Sequence, residues 1–216
     1  MKFTKLLFCQ MLETALEWLE KHLPMLNQLD AAIGDGDHGT AILAAMKAAV
    51  SSAQTSIEKN ETFSTTLENI GFNVMSATNG STSTLSGLFF TGMAGGITSE
   101  ELNADETIIA FENGLANVQT MTKAQIGDKT LMDALIPAIE AMSRLKGTNA
   151  SFTEIFLAAR DAAKNGAAST KELIAKYGRA KNLGERSCGH LDAGAVSTEL
   201  TYAAYAYIVE NAEKNS

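Results

Sequence analysis

The chain comprises 216 residues, 45% of them hydrophobic, with a formal net charge of -8 at pH 7. It is long enough to bury a core as one large domain or two small ones. The acidic charge and the lack of a basic stripe argue against a nucleic-acid surface, and no segment approaches the ~18 apolar residues of a membrane span. The two cysteines, Cys9 and Cys188, are too few for a disulfide framework and indicate a reducing cytoplasm.

The first predicted element is a long amphipathic helix. The sequence is rich in alanine and contains only two prolines, which favours helices throughout. Leucines recur at intervals typical of one helix face, at Leu12, Leu16, Leu19 and Leu23. The apolar run at residues 6–9 is too short for the core of an export signal, so we expect it to belong to this helix. The helix spans about residues 4–29, with a bend at Pro24.

The stretch that follows concentrates three carboxylates in a short segment. Asp30, Asp35 and Asp37 would repel one another unless a cation neutralised them, and oxygen ligands of this kind suit Mg²⁺. Gly34 and Gly36 flank Asp35 and allow backbone conformations that are closed to other residues, so the chain can curl around an ion. The stretch therefore predicts a magnesium site.

A second helix is predicted to begin near His38. Its free N–H groups would point back at the acidic stretch, which favours a phosphate beside the metal. A calcium-binding EF-hand loop counted from Asp35 would need Gly and Glu where the chain has Thr40 and Met46. The Walker A motif, GxxxxGK[ST], is absent from the sequence. Any phosphate site here is therefore of another type.

The remaining chain predicts further helices and no convincing strand. The second helix ends before a polar stretch at residues 51–61, which we interpret as a loop. Thr65 and Glu68 have the spacing of a capping box and would open the third helix, and Ser151 and Glu154 have the same spacing. Later helices are predicted at about residues 88–97, 105–118, 131–142, 151–166, 169–177 and 192–211. Eight or nine helices without a linker or repeat predict one all-α domain, residues 1–216.

Three stretches between the predicted helices are candidates for function. Residues 76–86 are rich in Ser and Thr around Gly80, and such a loop either cradles phosphate or simply connects and caps helices. Residues 121–130 form a second loop. Residues 178–190 form a long loop punctuated by glycines, and loops of this length are often functional. Composition alone leaves the role of the first stretch open.

Three motifs together resemble the L subunit of bacterial dihydroxyacetone kinases, which is equivalent to the C-terminal nucleotide domain of the single-chain enzymes. The first is Asp-(x4)-Asp-x-Asp-His-Gly at residues 30–39, and the second is Gly-Asp-Lys-Thr-(x2)-Asp at residues 127–133. The third, at residues 178–195, is Gly-Arg-Ala-(x2)-Leu-Gly-Glu-Arg-Ser-x-Gly-His-x-Asp-x-Gly-Ala. The motifs occur in the family's order, and the resemblance spans essentially the whole chain.

The resemblance implies an antiparallel barrel of about eight amphipathic helices, with ADP or ATP and two Mg²⁺ at one end. Asp30, Asp35 and Asp37 would be the metal ligands. The start of the second helix, the serine-threonine loop and Arg179 would contact the phosphates, and the second loop would border adenine or ribose. The implied nucleotide-binding residues are His38, Gly39, Thr40, Ala41, Ser81, Thr82, Thr122, Leu131, Arg179, Asp192, Ala193 and Gly194.

The implied reaction is phosphoryl transfer to a short-chain ketose held on a separate K subunit. No catalytic residue is expected on this chain beyond the metal and nucleotide site. In many relatives a phosphotransferase-system M subunit recharges bound ADP from phosphoenolpyruvate, whereas in others ATP binds, reacts and leaves. A homodimer and a cytoplasmic location, without contacts to nucleic acid or membrane, are further expectations. The alternative is a regulator of the same fold that binds nucleotide without turnover.

The chain departs from the family in the serine-threonine loop. Residues 79–85 read Asn-Gly-Ser-Thr-Ser-Thr-Leu, where the family usually has Gly-Gly-Ala-Ser-Gly-Pro-Leu. The side chains of Asn79 and Ser83 would either crowd the phosphates or add hydrogen-bond donors. The loss of these glycines motivates the regulator alternative. The turn at Asp192 also carries Ala193 in place of a proline.

Overall fold

Eight α-helices make up most of the described chain. The computed structural model describes residues 1–95, 97 and 99–215. Two short antiparallel strands, β1 (Phe3–Thr4) and β2 (Glu101–Leu102), pair with each other, and two 3-10 helices (Thr170–Glu172 and Arg179–Ser187) precede the last α-helix. The α-helices are α1 (Lys5–Ile33), α2 (His38–Glu58), α3 (Phe63–Met75), α4 (Ser81–Ala94), α5 (Ala104–Met121), α6 (Met132–Ser143), α7 (Phe152–Ser169) and α8 (Ala193–Lys214).

The helices form a closed ring with an apolar interior. Each α-helix packs against the next one in the sequence, and α8 packs against α1. Mostly short connections make neighbouring helices antiparallel, so α2, α4, α6 and α8 all begin at one end of the ring. Within the described part of the chain, none of the helices is both long and apolar enough to cross a membrane. The structure thus confirms the predicted all-α barrel of eight helices.

The end of the ring where the odd-numbered helices begin is closed by aromatic packing. Phe3 is fully buried, and its ring centroid lies 5.8–6.4 Å from those of Phe8, Phe63, Phe111, Phe152 and Phe156. Burial of aromatic rings removes large apolar surfaces from water. This end is therefore a packed part of the core, and we expect a functional cleft at the opposite end.

Helix caps agree with the sequence prediction at α7 but not at α3. Ser151 and Glu154 form the predicted capping box. At α3 the cap is Thr62, whose hydroxyl accepts the N–H of Thr65 at 3.2 Å. The prediction that Thr65 opens the helix is wrong, because Thr62 has the extended backbone of a cap and Thr65 already lies in the first turn.

The polar stretch at residues 51–61 mostly continues α2, which corrects the predicted loop. Ser52 and Ser56 are buried where α2 meets α3. Their hydroxyls accept hydrogen bonds from Asn73 and Asn69 at 3.0 and 3.4 Å, respectively. Small polar side chains can thus occupy a helix contact when the neighbouring helix supplies partners, and apolar periodicity does not detect such a contact.

Three other predicted boundaries also differ from the structure. Helix α4 begins at Ser81, earlier than predicted, and ends at Ala94; residue 96, at its predicted end, lies outside the described residues. The helix predicted at residues 169–177 is only the end of α7 and the 3-10 turn Thr170–Glu172. The loop predicted at residues 178–190 is largely the 3-10 helix Arg179–Ser187. Such turns lack the 3.6-residue apolar period on which these predictions depend.

Candidate functional site

A cleft of about 950 Å³ opens at the end of the ring where the even-numbered helices begin. Its walls include the first residues of α2, α4, α6 and α8. The first N–H groups of a helix lack partners within the helix and carry partial positive charge. Neither Asp37 before α2 nor Gly80 before α4 caps its helix through a side chain. The cleft is therefore suited to an anion.

Asp30, near the end of α1, folds the acidic stretch into a compact turn. Its Oδ2 atom accepts the N–H groups of Gly36, Asp37 and His38 at 2.8, 2.9 and 3.3 Å. A Cβ atom at Gly34 would lie 2.3 Å from Oδ1 of Asp30, and Gly36 has a φ of 82°. Gly36 thus requires glycine, whereas a side chain at Gly34 would displace the Asp30 carboxylate. Since the three hydrogen bonds use Oδ2, Oδ1 of Asp30 is available to a ligand.

The turn brings Asp30, Asp35 and Asp37 together. One carboxylate oxygen of each residue lies within 4.8 Å of the other two. Asp30 is half-buried, and the other two are exposed. Three carboxylates this close repel one another, and their oxygens suit a hard divalent cation such as Mg²⁺. Their donor set fits the ion that the sequence predicts, and their role as its ligands stays a prediction.

Arg179 reaches the cleft from the segment between α7 and α8. Its Nη2 atom lies 2.8 Å from Oδ2 of Asp35, although 73% of the Arg179 side chain is exposed. A pair this exposed contributes little to stability. The guanidinium is planar and carries parallel N–H donors that match phosphate oxygens. Its place beside the acidic turn is therefore suited to binding phosphate.

The first turn of α2 is fixed against α1 by Asn27, a residue that sequence analysis missed. Oδ1 of Asn27 accepts the N–H of Thr40 at 3.1 Å, and its Nδ2 donates to Oγ1 of Thr40 at 3.2 Å. Gly39 is buried beside this contact, where a Cβ atom would lie 2.8 Å from the carbonyl oxygen of Leu23. Gly39 does not line the cleft; it allows the two helices to approach. No motif in the sequence marks Asn27.

His38 connects three of the helix starts through its imidazole. Nε2 lies 2.9 Å from Oγ of Ser197 on α8, and Nδ1 lies 3.4 Å from Oγ1 of Thr82 on α4. Ser197 donates its own proton to the carbonyl oxygen of Gly194, so we assign the donated proton to Nε2 of His38. Burial lowers the pKa of His38, which favours the neutral ring. The side chain thus positions α4 and α8, while His38 also lines the cleft.

The serine-threonine loop forms a second wall of the cleft. Residues 79–82 line it, whereas Ser83 is fully buried. Oγ of Ser83 lies 2.6 Å from Oγ1 of Thr78, and this contact holds its side chain away from the cleft. Of the two side chains that could crowd a phosphate, only Asn79 therefore borders the cleft.

The connection from α5 to α6 supplies a third wall, with Thr122 and Leu131. Asp133 is fully buried, and its carboxylate accepts the N–H of Gly127 at 2.6 Å and of Thr130 at 2.7 Å. Burial raises the pKa of Asp133, and these hydrogen bonds oppose that effect. Asp133 thus fixes the shape of the connection. It belongs to the second motif, to which sequence analysis assigned no structural role.

Asp192 starts the last helix beside the cleft. Its Oδ2 accepts the N–H of Ala195 at 2.8 Å and caps α8. Burial raises the pKa of Asp192 to about 7. Ala193 and Gly194 follow along the cleft wall. Apart from Gly39, every predicted metal or nucleotide residue lines this one cleft.

Comparisons with known proteins identify the family of the chain. The DAK2 domain model matches residues 32–206. The chain is 37% identical over 197 residues to the ADP-binding subunit DhaL of a PEP-dependent dihydroxyacetone kinase from Listeria innocua, covering 91% of this chain and 89% of that one. It is 35% identical over 176 residues to an L-erythrulose 1-kinase from Mycolicibacterium smegmatis, covering 80% of this chain and 30% of that enzyme.

A solved structure has the same fold. The crystal structure of the dihydroxyacetone kinase from C. freundii in complex with AMP-PNP and Mg²⁺ matches with a TM-score of 0.69 at 26% identity. The match covers 96% of this chain and 34% of that enzyme, so the chain corresponds to about a third of it. The all-α barrel is thus the fold of one part of a dihydroxyacetone kinase. The chain belongs to the DAK2 domain family, as a relative of the L subunits of dihydroxyacetone kinases.

Proposed function

We propose that the chain is the nucleotide-binding subunit of a kinase for dihydroxyacetone or a related short-chain ketose. The observation that carries the proposal is the cluster of Asp30, Asp35 and Asp37 in the same cleft as the uncapped start of α4. Acidic ligands that share a cleft with the free amides of α4 suit a metal-bound polyphosphate, because its cation and its phosphates need opposite charges close together. We take residues 1–216 as one domain, of which the family match covers residues 32–206.

Nucleotide and Mg²⁺ would share the cleft. The three carboxylates would hold Mg²⁺, two ions in our proposal, and bound Mg²⁺ would offset the negative charge of the phosphates. The chain itself would orient the phosphates through the amides that start α4 and through Arg179. Thr122 and Leu131 would border adenine or ribose. Positioning of this kind is the main requirement for phosphoryl transfer, so no residue of this chain needs to become phosphorylated.

The acceptor and the donor would lie on other chains. We infer a separate K subunit that holds the ketose, and a phosphotransferase-system M subunit that recharges bound ADP. The relative from Listeria innocua is PEP-dependent by name, which supports this donor over free ATP. The L-erythrulose 1-kinase from M. smegmatis supports four-carbon ketoses as a second group of acceptors.

Reconstitution tests the proposal. The purified chain is combined with a K-type partner, Mg²⁺ and dihydroxyacetone or erythrulose, and it is supplied with ATP or with phosphoenolpyruvate and the phosphotransferase proteins. We expect ketose phosphate in the phosphoenolpyruvate arm and ADP that stays bound through gel filtration. Ketose phosphate formed with ATP alone, together with loss of ADP on the column, would show that ATP binds and leaves directly. Recharging of bound ADP by the phosphotransferase proteins would then be excluded. Absence of ketose phosphate in both arms would contradict the kinase proposal.

A nucleotide-dependent regulator is the second candidate, and the position of Asn79 favours it. Asn79 borders the cleft where the family usually has glycine, so its side chain can hinder close approach of phosphates. A regulator would bind nucleotide and change its affinity for a partner without turnover. It predicts nucleotide binding without ketose phosphate in the reconstitution, and recovery of transfer in Asn79→Gly. The kinase proposal predicts transfer already in the natural chain.

A further inference from the structure

A long segment between α7 and α8 brings Arg179 to the cleft. We call residues 171–191 the Arg179 loop; residues 177–180 of this loop line the cleft. Most of its side chains are exposed, so the loop has little apolar core of its own. Such a loop depends on the hydrogen bonds that close it, because chain entropy otherwise favours many positions of its middle. One of them lies inside the loop, where the N–H of Ala175 donates to Oγ of the buried Ser187 at 2.9 Å, and the others lie at its two ends. The placement of Arg179 therefore depends on how the loop is closed.

The two ends of the Arg179 loop meet at a neck formed by Thr170, His190 and Asp192. The N–H of Asp192 donates to Oγ1 of Thr170 at 2.9 Å. The ammonium of Lys129 donates to the carbonyl oxygens of Thr170 and His190, one on each side of the neck. Lys129 comes from the connection between α5 and α6, outside the loop. It thus joins the two ends of the loop to a third part of the chain.

Lys129 combines two unfavourable states. Only 1% of the residue is exposed, and burial lowers its pKa. Its φ of 59° lies in the left-handed region, which lysine rarely adopts, and the hydrogen bonds of Asp133 to Gly127 and Thr130 hold that conformation. A buried ammonium and a strained backbone persist only where the surrounding structure fixes them, and such positions concentrate at functional sites.

We propose that Lys129 is a positioning residue, whose buried ammonium holds the neck of the Arg179 loop together and thereby keeps Arg179 at the cleft. Two of its three N–H donors are committed to the carbonyl oxygens of the neck. Loss of the ammonium would leave these carbonyls without their shared donor and would free the loop at its base. The inference depends on the proposed function in one respect, which is that the ligand contacted by Arg179 is a phosphate.

A second attachment of the loop is weaker. Nζ of Lys176 lies 2.7 Å from Oδ1 of Asp128, and the N–H of Lys176 donates to the carbonyl oxygen of Asp128 at 3.1 Å. The Lys176 side chain is 63% exposed, so its ion pair is open to water and salt. Lys129 is the buried member of the two attachments. We therefore expect its loss to free more of the loop.

Limited trypsin digestion of the chain without nucleotide tests the neck directly. Lys129→Met keeps the length of the side chain but removes its donors, and Lys123→Met is the matched control on the same connection, where the lysine is exposed. We expect cleavage after the basic residues of the loop to be at least about tenfold faster in Lys129→Met, because cleavage follows the open population. These residues are Lys171, Lys176, Arg179, Lys181 and Arg186. Cleavage elsewhere in the chain, which reports global unfolding, should not rise in parallel.

Thr170→Val provides a second variant if Lys129→Met does not fold. It removes the hydrogen bond from Asp192 at the same neck but leaves the ammonium in place. We expect faster cleavage of the same loop sites, by a smaller factor than in Lys129→Met. Equal cleavage in all variants, or a rise at every tryptic site together, would overturn the role of the neck.

A double-mutant cycle with Arg179→Ala tests the link to the cleft. The dissociation constant of Mg²⁺-ADP is measured for the natural chain, Lys129→Met, Arg179→Ala and the double variant. We expect Lys129→Met to weaken binding about tenfold, and to have little further effect when Arg179 is already absent. The same loss in both backgrounds would mean that Lys129 acts independently of Arg179, and would overturn the inference. If the natural chain binds no nucleotide, the proposed function fails, while the trypsin comparison still decides the inference.

Discussion

The two ends of the barrel are closed in different ways. At one end, phenylalanines surround Phe3, and the interior is filled. At the other end, carboxylates, glycines and helix starts surround an open cleft of about 950 Å³. The first end gains stability from burial of apolar area. The second holds like charges close together, and its backbone turns require glycine, so substitutions at the two ends should separate stability from function.

The largest effect is expected at the packed end. Phe3→Ala removes a fully buried ring and should lower the free energy of unfolding by about 3–5 kcal/mol. Urea unfolding at constant temperature measures the change. Phe72→Ala, at an exposed phenylalanine on α3, is the control and should stay within about 0.5 kcal/mol of the natural chain. A loss under about 1 kcal/mol in Phe3→Ala would show that this end does not stabilise the barrel as described.

At the open end, Asp37→Asn should lower the rate of ketose phosphorylation at least about 100-fold, because a bound metal supplies several kcal/mol of charge stabilisation. Without Mg²⁺, the melting temperature should stay the same or rise, since one of three repelling charges is gone. Phosphorylation rate and thermal unfolding are measured on the same samples. Asp161→Asn, an exposed carboxylate on α7, is the matched control. Full activity of Asp37→Asn in the presence of Mg²⁺ would sink the assignment of the metal site.

A smaller effect on function is expected from a substitution of Gly34, which lies beside the Asp30 carboxylate in the acidic turn. In Gly34→Ala the new Cβ atom would lie 2.3 Å from Oδ1 of Asp30, so the carboxylate must rotate. We expect Mg²⁺ to bind about tenfold more weakly. Loss of a group that supports a metal ligand typically lowers metal affinity by about 10- to 100-fold, and this change is at the lower end of that range. Titration calorimetry measures the affinity, with Ala32→Ser on the same last turn of α1 as control. Unchanged affinity would mean that Oδ1 of Asp30 is not a ligand.

The smallest effect should come from a cap at the packed end. Ser151→Ala removes the hydroxyl that accepts the N–H of Glu154 at 3.1 Å, and it should cost about 1 kcal/mol of unfolding free energy. The affinity for Mg²⁺-ADP should not change, because α7 begins far from the cleft. If Ser151→Ala changed the nucleotide affinity and left the stability unchanged, the view that one end provides stability and the other provides function would be wrong.

The parts of the site that could be predicted are those with local causes. Asp30, Asp35 and Asp37 lie within one short turn, so spacing and charge alone were enough to predict that they meet. The approach of Arg179 to Asp35 joins distant parts of the chain, and only the resemblance to a family brought it into the prediction. Asn27 lies on a helix with no motif around it, and its contact with Thr40 exists only once α1 and α2 have packed.

The fold shows the same limit. The helices could be expected because long apolar periods predict them, whereas their closure into an antiparallel ring was implied only by the resemblance to a family. The error at residues 51–61 arose because Ser52 and Ser56 find partners on α3, which no local pattern shows. The prediction of a helix at residues 169–177 is wrong because the chain bends at Thr170, whose carbonyl oxygen accepts a hydrogen bond from Lys129. This tertiary contact outweighs the local helix propensity.

The pair α1–α2 has a consequence for how such sites can be transplanted. The last turn of α1 ends in carbonyl groups with partial negative charge, and the first turn of α2 begins with amides of partial positive charge. A helical hairpin with a four-residue turn, Gly34 to Asp37, therefore sets a cation-favouring pole beside an anion-favouring pole. A salt such as magnesium phosphate has the same polarity. If the hairpin binds such an ion pair here, we expect it to do so in an unrelated helical bundle as well, provided that Asn27 and Gly39 are moved with it.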